Sequence, residues 1–277
     1  MDTAALGAAE KGGGMITVTQ IGRVFVKATR YLNPDWVEVN AGGIRHDRIF
    51  GLAEADDRFV STERHGDFFP LTFHYEADGD RLRLEMPDGE VLEGDVGAIG
   101  HRWEHDHHGI RRVPVGEVEG PWRGAISGFV GRPIRLVRCL GRTSAIDVLP
   151  ITFVTTGSLQ RLGRELGAPV EAARFRLGFV FANDQEHEED GWDGRLLRVG
   201  DVTLRVRTPV PRCSIPGLDP THGVRNLEVM KGLIRYRSKQ AYPGQPPESA
   251  VTPGFATYAE VVEPGTVRVG DRVELVS

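Results

Sequence analysis

The sequence predicts a β-rich α+β fold in which short strands outnumber a few packing helices. Thirty-five glycines and 17 prolines among 277 residues exceed the average share of these two types, and no low-complexity tract accounts for them. Such an excess indicates many turns and therefore many short strands. Apolar and polar residues alternate near both ends of the chain, and a barrel-like architecture would leave few of these strand edges exposed.

The amino-terminal part is predicted to be a meander or small barrel over residues 15–95. Apolar residues recur over residues 16–26, and a further strand is expected at residues 48–52. Two hairpins follow, because Asp-Gly turn sequences at residues 78–79 and 88–89 separate alternating segments.

Residues 96–277 are predicted to form a second domain that carries the helices. Residues 97–121 are weakly patterned. Helical periodicity then occurs three times, at residues 122–130, at residues 158–166 and from residue 226 onwards. Thr156 or Ser158 is expected to cap the second helix, and Gly167 to end it. Strands are expected at residues 134–137, 196–199, 202–207, 258–262, 267–269 and 273–276.

Composition argues against several classes of protein. Thirty-nine acidic and 34 basic residues give a net charge of −5, which argues against binding the phosphate backbone of a nucleic acid. No apolar stretch approaches the roughly 18 residues of a membrane span, so no membrane association is expected. Two cysteines cannot form a disulfide scaffold, and residues 1–14 lack the apolar segment of a secretory signal. We therefore expect a disordered tail at residues 1–14 and a cytoplasmic location.

Cys213 is the main candidate for chemistry. It follows an alternating strand and lies in a proline-rich loop, the kind of place where functional side chains usually occur. Arg212 is expected to favour the thiolate, although a small buried hydrophobe is the alternative for an isolated cysteine. Cys139 lies in an apolar strand and is expected to be a core residue.

Three further clusters have both a functional and a structural interpretation. Arg174 and Arg176 precede an apolar strand, so at least one guanidinium is expected to face a cavity, with a surface pair as the alternative. The histidines at residues 105–108 could bind a metal, but a solvated loop is favoured because their spacing fits no helix face. The acidic run at residues 186–190 is a carboxylate site or, as we favour, a polar turn before Trp192.

Several motifs fall in the order and spacing of a known family: Arg174-Phe175-Arg176, Glu189-Asp190-Gly191-Trp192, Leu197-Arg198-Val199-Gly200-Asp201, Pro211-Arg212-Cys213 and Leu218-Asp219-Pro220. They resemble the MOSC domain, the molybdenum cofactor sulfurase C-terminal domain. Val26-Lys27 and Asp47-Arg48 resemble, more loosely, the β-barrel domain that precedes it in this family. The resemblance implies an amino-terminal β-barrel-like part packed on a MOSC β-barrel, a layout similar to that of the mitochondrial amidoxime-reducing components and their bacterial relatives.

The resemblance implies a role for each matching residue. The cysteine that ligates molybdenum in the family corresponds to Cys213, and a thiolate is a suitable soft ligand for that metal. The cofactor-binding positions correspond to Lys27, Arg48, Thr155, Thr156, Ser158, Arg176 and Arg212. Cations, hydroxyls and a helix N-terminus are groups that bind a pterin phosphate. Ala28, Gly178 and the segment 214–217 depart from the family pattern.

The function implied is a molybdenum-cofactor (Mo-molybdopterin) oxidoreductase that reduces N-hydroxylated compounds. Its electrons are expected from a separate iron–sulfur or flavin partner. The alternative is a cofactor carrier or a persulfide sulfur-transfer module that uses Cys213, in either case without pyridoxal phosphate on this chain. A third possibility is an interaction domain that has kept the scaffold without the cofactor.

Two geometric predictions follow from the resemblance. Lys27, Arg48 and Arg176 are expected to converge on an anion, because three cations repel one another unless a negative charge neutralises them. Cys213 is expected at the floor of an open groove between the two parts, with Phe68, Phe69 and residues 97–121 as possible rim elements.

Overall fold

The computed structural model describes residues 14–63, 66–107, 109–141 and 144–276 of the chain. Strand residues outnumber helical residues, at 41% against 18%, which confirms the predicted β-rich class. The predicted disordered tail lies outside the described residues except for Gly14, and so does His108 of the histidine cluster.

The described residues form eighteen strands, in chain order Thr17–Ile21 (β1), Trp36–Asn40 (β2), Gly43–Ile44 (β3), Phe50–Ala53 (β4), Thr72–Glu76 (β5), Arg81–Glu85 (β6), Val91–Asp95 (β7), Ile99–His107 (β8), Arg111–Val118 (β9), Arg135–Cys139 (β10), Ile151–Thr155 (β11), Phe179–Ala182 (β12), Leu196–Val199 (β13), Val202–Pro211 (β14), Lys239–Gln240 (β15), Thr252–Glu263 (β16), Gly265–Arg268 (β17) and Val273–Val276 (β18). Three α-helices accompany them: Trp122–Val130 (α1), Thr156–Leu166 (α2) and Val229–Tyr236 (α3). Within the described ranges, none of these helices has the length and apolar character needed to cross a membrane.

The carboxyl-terminal part is organised around a nearly closed, barrel-like sheet. Its strands are ordered β1, β12, β11, β16, β14, β13 and β18, and β15 pairs with β16. Only β11 and β12 run parallel; the other neighbours are antiparallel. Phe153, Phe179, Phe181 and Trp192 fill the interior and are almost completely buried. This aromatic core holds the strands whose ends carry the candidate site.

A second core lies in the amino-terminal part. The strands β4, β10, β9 and β8 form one sheet there, and β5, β6 and β7 form another. Trp122 of α1 is fully buried and packs into the same core as Phe50 and Phe68. Phe68 and Phe69 are 0% and 2% exposed, so the expectation that they form the rim of a groove is wrong. Burial of apolar rings of this size stabilises the folded state, which explains why they lie inside.

Strand pairing joins the two parts across the boundary predicted between residues 95 and 96. The strands β1 and β2 pair with β12 and β17, so both belong to carboxyl-terminal sheets. Residues 99–139, in turn, complete the amino-terminal sheet through β8, β9 and β10. Each of the two cores contains residues from before and after this boundary. The division into domains at residues 15–95 and 96–277 stays a prediction.

Two local expectations are wrong. His105 and His107 lie in β8, paired with β9, and do not form a solvated loop. The partner strand alternates buried and partly exposed residues, and Val113 and Val115 on its buried face anchor the hairpin. Helix α2 is capped by Thr155, whose side chain accepts a hydrogen bond from Ser158 N, and not by Thr156 or Ser158. The predicted end of α2 at the left-handed Gly167 is confirmed.

Candidate functional site

Lys27, Arg48 and Arg176 converge at the junction of the two parts, and we call them the cation cluster. The backbone of Lys27 is fixed by Val26, which bridges to Phe50, and by its own N–H, which donates to Phe50 O at 2.9 Å. Arg48 and Arg176 both have left-handed backbones, with φ of +52° and +55°. A left-handed backbone is uncommon for residues other than glycine and is retained where the surroundings impose it. Arg48 Nη2 donates to Arg176 O at 2.9 Å, so the two arginines are in direct contact.

Lys27 is bound by groups from both parts of the chain. Its Nζ lies 2.5 Å from Asp147 Oδ1, 2.9 Å from His107 Nε2 and 2.9 Å from Ala145 O. Burial lowers the pKa of Lys27, and the neighbouring Asp147 carboxylate opposes that shift. The Asp147 side chain is 54% exposed, so this counter-ion lies at the solvent side of the ammonium.

Arg176 is the least compensated member of the cation cluster. Its Nη2 donates to Thr29 O at 2.7 Å, and its guanidinium lies over the Phe69 ring at 4.9 Å. Burial lowers the pKa of Arg176 to about 10, and the positive charge of Arg48 contributes to that shift. The buried Nη1 of Arg176 has no hydrogen-bond partner among the residues that the structure describes. An unpaired buried donor of this kind is costly unless a ligand satisfies it.

Positive charge exceeds negative charge around the cation cluster. Burial lowers the pKa of Arg48, but the Asp47 and Asp147 carboxylates outweigh burial and the net shift is upward. In the described part of the chain, more cations than carboxylates share this space: Arg23, Lys27, Arg48, Arg111 and Arg176 with Asp47 and Asp147. A bound anion such as a phosphate would offset this excess of positive charge.

Cys213 lies in a cleft of about 600 Å³ that residues from both parts of the chain line. Glu63 and the tip of the β8–β9 hairpin at Ile110 come from the amino-terminal part, while Arg212, Met230 and Tyr242 come from the carboxyl-terminal part. The expected groove at Cys213 is therefore present, with residue 110 of the 97–121 segment at its edge. Cys139, by contrast, is 5% exposed in β10, as predicted for a core residue.

Cys213 is exposed to the cleft, although protein groups crowd its thiol on the other sides. These groups raise the pKa of the thiol to about 11, chiefly by partial desolvation, while the hydrogen bond from Ile215 N has the opposite effect. The Glu63 carboxylate raises the pKa further, and Arg212 lowers it only slightly. Arg212 favours the thiolate, as expected, because its charge lowers the pKa, but desolvation outweighs this effect and raises the pKa overall.

Arg212 is held beneath Cys213 by the protein backbone. Its Nε donates to Phe255 O at 2.7 Å, and its guanidinium lies 5.2 Å from the centre of the Phe175 ring. Burial lowers the pKa of Arg212 to about 10. Its Nη2 is a second buried guanidinium nitrogen for which the described residues provide no hydrogen-bond partner.

The structure gives Thr155, Thr156 and Ser158 different neighbours. Thr155 Oγ1 and Ser158 Oγ donate to the Glu189 carboxylate at 2.8 and 2.6 Å, and Thr156 Oγ1 bonds to Asn183. Glu189 is 1% exposed and burial raises its pKa, so the acidic run is more than a polar turn. The N-terminus of α2 thus already holds a carboxylate of this chain.

Asp147 also acts electrostatically on two tyrosines, Tyr242 in the cleft wall and Tyr258. Burial raises the pKa of Tyr258, the Arg212 guanidinium opposes that shift, and the Asp147 carboxylate adds to it. Tyr242 follows the same pattern, with burial as the main cause and Cys213 and Asp147 as contributors. The sequence reasoning missed Asp147, Tyr242 and Tyr258, which lie outside every motif; a carboxylate in the short connection before β11 was the one available signal.

Among the described residues, no group of three or more histidine, cysteine, aspartate or glutamate side chains is arranged to hold a metal ion. His105 stacks on Phe59 at 4.0 Å, and His107 bonds to Lys27 and Asp147.

The fold and the site define a barrel-like domain with Cys213 in an open cleft and a cluster of cations where the two parts of the chain meet. The sequence profile of one family, the MOSC domain, matches residues 142–274, and this part of the chain is a MOSC domain. The predicted resemblance is confirmed there.

Curated relatives match over about half of the chain. The human mitochondrial amidoxime-reducing component 1 is 33% identical over 130 residues, which cover 47% of this chain and 37% of that protein. The rat mitochondrial amidoxime reducing component 2 is 32% identical over 128 residues, 46% of this chain and 37% of that protein. The matched region is thus little more than a third of the length of these relatives.

Two solved structures were also similar in part. The YuaD protein of Bacillus subtilis superimposes with a TM-score of 0.43 and 12% identity, over 95% of this chain and 96% of that one. YiiM from Geobacillus stearothermophilus gives a TM-score of 0.33 and 17% identity, over 47% and 55%.

Proposed function

We propose that this chain is a molybdenum-cofactor-dependent oxidoreductase that reduces N-hydroxylated compounds. The observation that carries the proposal is the pair of unsatisfied buried donors, Arg176 Nη1 and Arg212 Nη2, beside an excess of positive charge and a cleft-lining thiol. Relatives named as amidoxime-reducing components give the reaction class. A phosphate-bearing pterin with a thiol-ligated metal would satisfy both donors and offset the excess positive charge.

The residues present fit this group, and each has a distinct task. Cys213 would ligate the molybdenum, and coordination would remove the thiol proton in spite of the raised pKa. Lys27, Arg48 and Arg176 would bind the phosphate, with Arg212 donating to the pterin side. Thr155, Thr156 and Ser158 would act through the position of α2, because their hydroxyls are bound to Glu189 and Asn183.

The cofactor, when bound, would supply the two electrons that convert an N–OH compound and two protons into the N–H compound and water. The chain's own contribution is to hold the substrate in the cleft beside Cys213 and to keep the reacting group next to Glu63 and Tyr242. The cleft is open, which leaves room for an electron donor of the iron–sulfur or flavin type to approach. A cytoplasmic site of action remains part of this proposal.

Elemental and pterin analysis of protein from a cofactor-competent host tests the proposal. We expect about one molybdenum per chain, lost in Cys213→Ser and kept in the matched variant Cys139→Ser. Reduction of an N-hydroxylated compound with a chemical electron donor should follow the molybdenum content. Absence of molybdenum and pterin from the folded wild-type protein would overturn the proposal.

A persulfide sulfur-transfer module is the second candidate function, because Cys213 is a free thiol in an open cleft. The raised pKa disfavours this role, since sulfur transfer needs a thiolate near neutral pH. Incubation with a sulfur donor, followed by mass spectrometry of the Cys213 peptide, separates the two: a stable added sulfur on molybdenum-free protein supports the second candidate.

A further inference from the structure

A basic surface adjoins the Cys213 cleft in a chain that is acidic overall. Residues 223–241 contain five basic residues and one acidic residue, whereas the whole chain has a net charge of −5. The segment includes α3 and β15. The sequence therefore concentrates in this segment positive charge that attracts an anionic partner.

Helix α3 turns a basic and partly apolar face outward. Leu233 is fully buried and holds the inner side of α3 in a core that it shares with α2. On the outer side, the Lys231 and Arg235 side chains are 71% and 63% exposed, and Ile234 is 66% exposed. Lys239 is exposed just beyond the helix. We call Lys231, Ile234, Arg235 and Lys239 the basic face.

The carboxylates near the basic face leave it with a surplus of positive charge. Glu228 lies 3.4 Å from Lys231 Nζ, and Glu165 lies 3.4 Å from Arg235 Nη1. Glu165 also pairs with Arg161, so its charge is shared between two arginines. Ion pairs at an exposed surface are weak, and the carboxylates of a partner protein can replace them.

The basic face reaches the mouth of the cleft at two points. Met230 and Gln240, which both line the cleft, are the sequence neighbours of Lys231 and Lys239. Three further lining residues are apolar or aromatic and at least 38% exposed: Ile110, Tyr242 and Val251. Exposed apolar side chains bordered by charged ones are typical of protein interfaces.

We infer that the basic face is the docking surface of the separate electron donor, a small iron–sulfur protein whose surface is acidic around its cluster. The cations would steer and orient this partner, and Ile234 would supply an apolar contact. Met230 and Gln240 mark the side on which the donor's cluster approaches the cleft. The inference deepens the proposed function and rests on it for the reaction, but not for the binding of the donor.

The stoichiometry of the proposed reaction favours a weak contact of this kind. Converting one N–OH group into N–H and water takes two electrons and two protons. A donor with one [2Fe–2S] cluster gives one electron each time it docks, so two reduced donors are oxidised per turnover, and the protons come from solvent. Each donor must leave before the next one binds, and electron-transfer contacts are accordingly small and weak.

A plant-type [2Fe–2S] ferredoxin, an acidic protein with one cluster, is the probe. Its binding to the purified chain is measured by titration calorimetry at low salt and again at about 0.5 M salt. The test variant is Lys231→Gln/Arg235→Gln/Lys239→Gln. The matched control removes the same charge from three exposed arginines in other parts of the described surface: Arg83→Gln/Arg123→Gln/Arg272→Gln.

We expect the test variant to bind ferredoxin at least about tenfold more weakly than the wild type at low salt, and the difference to shrink at high salt, because the lost contribution is electrostatic. The control variant should bind like the wild type. Ile234→Ser should weaken binding about threefold at both salt concentrations, since an apolar contact is not screened. In molybdenum-loaded protein, the test variant should raise the KM for ferredoxin and leave the rate with dithionite unchanged.

A wild-type protein that does not bind ferredoxin would overturn the inference. Equal binding by the wild type and a test variant of equal unfolding temperature would do the same. An anionic lipid surface is the other partner for a basic helix, although it usually requires about four to eight cations and the basic face has three. Vesicles of phosphatidylcholine with about 30% phosphatidylserine test it. Loss of vesicle binding in the test variant, with ferredoxin binding unchanged, would assign the basic face to a membrane.

These outcomes are distinguishable from those that test the proposed function. Ferredoxin binding through the basic face of a protein that never binds molybdenum leaves the docking surface intact and removes the reaction. Molybdenum-dependent reduction with dithionite, in a protein whose ferredoxin binding does not depend on the basic face, leaves the reaction intact and removes the docking surface.

Discussion

Two regions of this chain were expected to bind the phosphate of a cofactor, and the structure treats them differently. At the N-terminus of α2, the hydroxyls of Thr155 and Ser158 already donate to the Glu189 carboxylate at 2.8 and 2.6 Å. In the cation cluster, the basic groups exceed the carboxylates and Arg176 keeps a buried nitrogen without a partner among the described residues. The hydroxyls at the α2 terminus therefore have their hydrogen-bond partners within the chain, whereas the described residues leave a donor of the cation cluster without one.

The comparison teaches that a matching residue type does not by itself make a ligand site. Hydroxyls and a helix N-terminus favour an anion. A carboxylate of the chain itself can be that anion, and the helix terminus then needs no external ligand. Buried cations without enough carboxylates require a ligand from outside the chain. The two regions should therefore respond in opposite ways to substitution: one through stability, the other through cofactor retention.

The largest expected effect is on cofactor retention in the cation cluster. Arg176→Met removes the least compensated charge, and we expect the molybdenum and pterin content of protein from a competent host to fall at least about 100-fold. Its unfolding temperature should change by only a few degrees, because a buried charge with an unsatisfied nitrogen adds little net stability. Content is measured by elemental analysis and pterin fluorescence on the purified protein.

Thr155→Val is the matched control in the other region. It should keep the cofactor and lose about 1–2 kcal/mol of unfolding free energy, because the cap of α2 and one bond to Glu189 are lost. Loss of the cofactor from a fully stable Thr155→Val protein would show that the α2 terminus, and not the cation cluster alone, holds the phosphate.

The sequence predicted the elements better than it predicted their neighbours. The hairpins of β5, β6 and β7, helix α1 and the end of α2 at Gly167 all follow from local periodicity and turn residues. Local patterns do not reveal which distant strand a segment joins, and β1 pairs with β12 although about 160 residues separate them. The position of β1 in the carboxyl-terminal sheet was therefore not predicted.

At the candidate site, too, the sequence predicted which residues meet better than it predicted their partners. Convergence of Lys27, Arg48 and Arg176 was predicted, because a shared anion is a physical reason for cations to meet. The partners of these cations were not predicted, since Asp147 and His107 are recruited by tertiary packing and carry no motif. The cap at Thr155 was missed for a similar reason: Glu189, 34 residues away, draws that hydroxyl inward.

The second prediction concerns Glu189, the carboxylate that satisfies the α2 terminus. Glu189→Ala should lower the unfolding free energy by about 3 kcal/mol, because the buried donors of Thr155 and Ser158 would lose their acceptor. Glu189→Gln keeps an acceptor oxygen and should cost less. Chemical denaturation of the three proteins measures the difference. An unchanged unfolding free energy in Glu189→Ala would contradict the view that Glu189 is the partner that stabilises the α2 terminus.

A smaller effect is expected from the pH dependence of His187, whose backbone N–H donates to Ser158 Oγ in the same network. Burial, helped by the Arg237 charge, lowers the pKa of His187 from 6.5 to about 4. The unfolded chain therefore binds the proton first, and stability that is present above pH 6.5 is lost as the pH falls towards 4. With partial exposure taken into account, the loss is about 1–2 kcal/mol.

The variant His187→Gln isolates this contribution. Its unfolding free energy should fall less steeply than that of the wild type between pH 6.5 and 4, while the two curves run parallel above pH 7. Parallel curves over the whole range would mean that His187 does not titrate differently in the folded and unfolded chains.

The smallest expected effect tests whether Asp147 acts as the internal counter-ion of the cation cluster. Asp147 Oδ1 lies 2.5 Å from Lys27 Nζ and 2.9 Å from His107 Nε2, and a phosphate that binds Lys27 competes with it. Asp147→Asn should therefore lower the unfolding temperature of the cofactor-free protein by a few degrees and enlarge the increase that about 10 mM inorganic phosphate produces. Chloride at equal ionic strength should produce less. Glu189→Gln is the control in the satisfied region and should leave the phosphate response unchanged, because its carboxylate lies away from the cations. An equal phosphate response in Asp147→Asn and the wild type would show that Asp147 does not compete for the anion, and the excess charge of the cation cluster would then need another ligand.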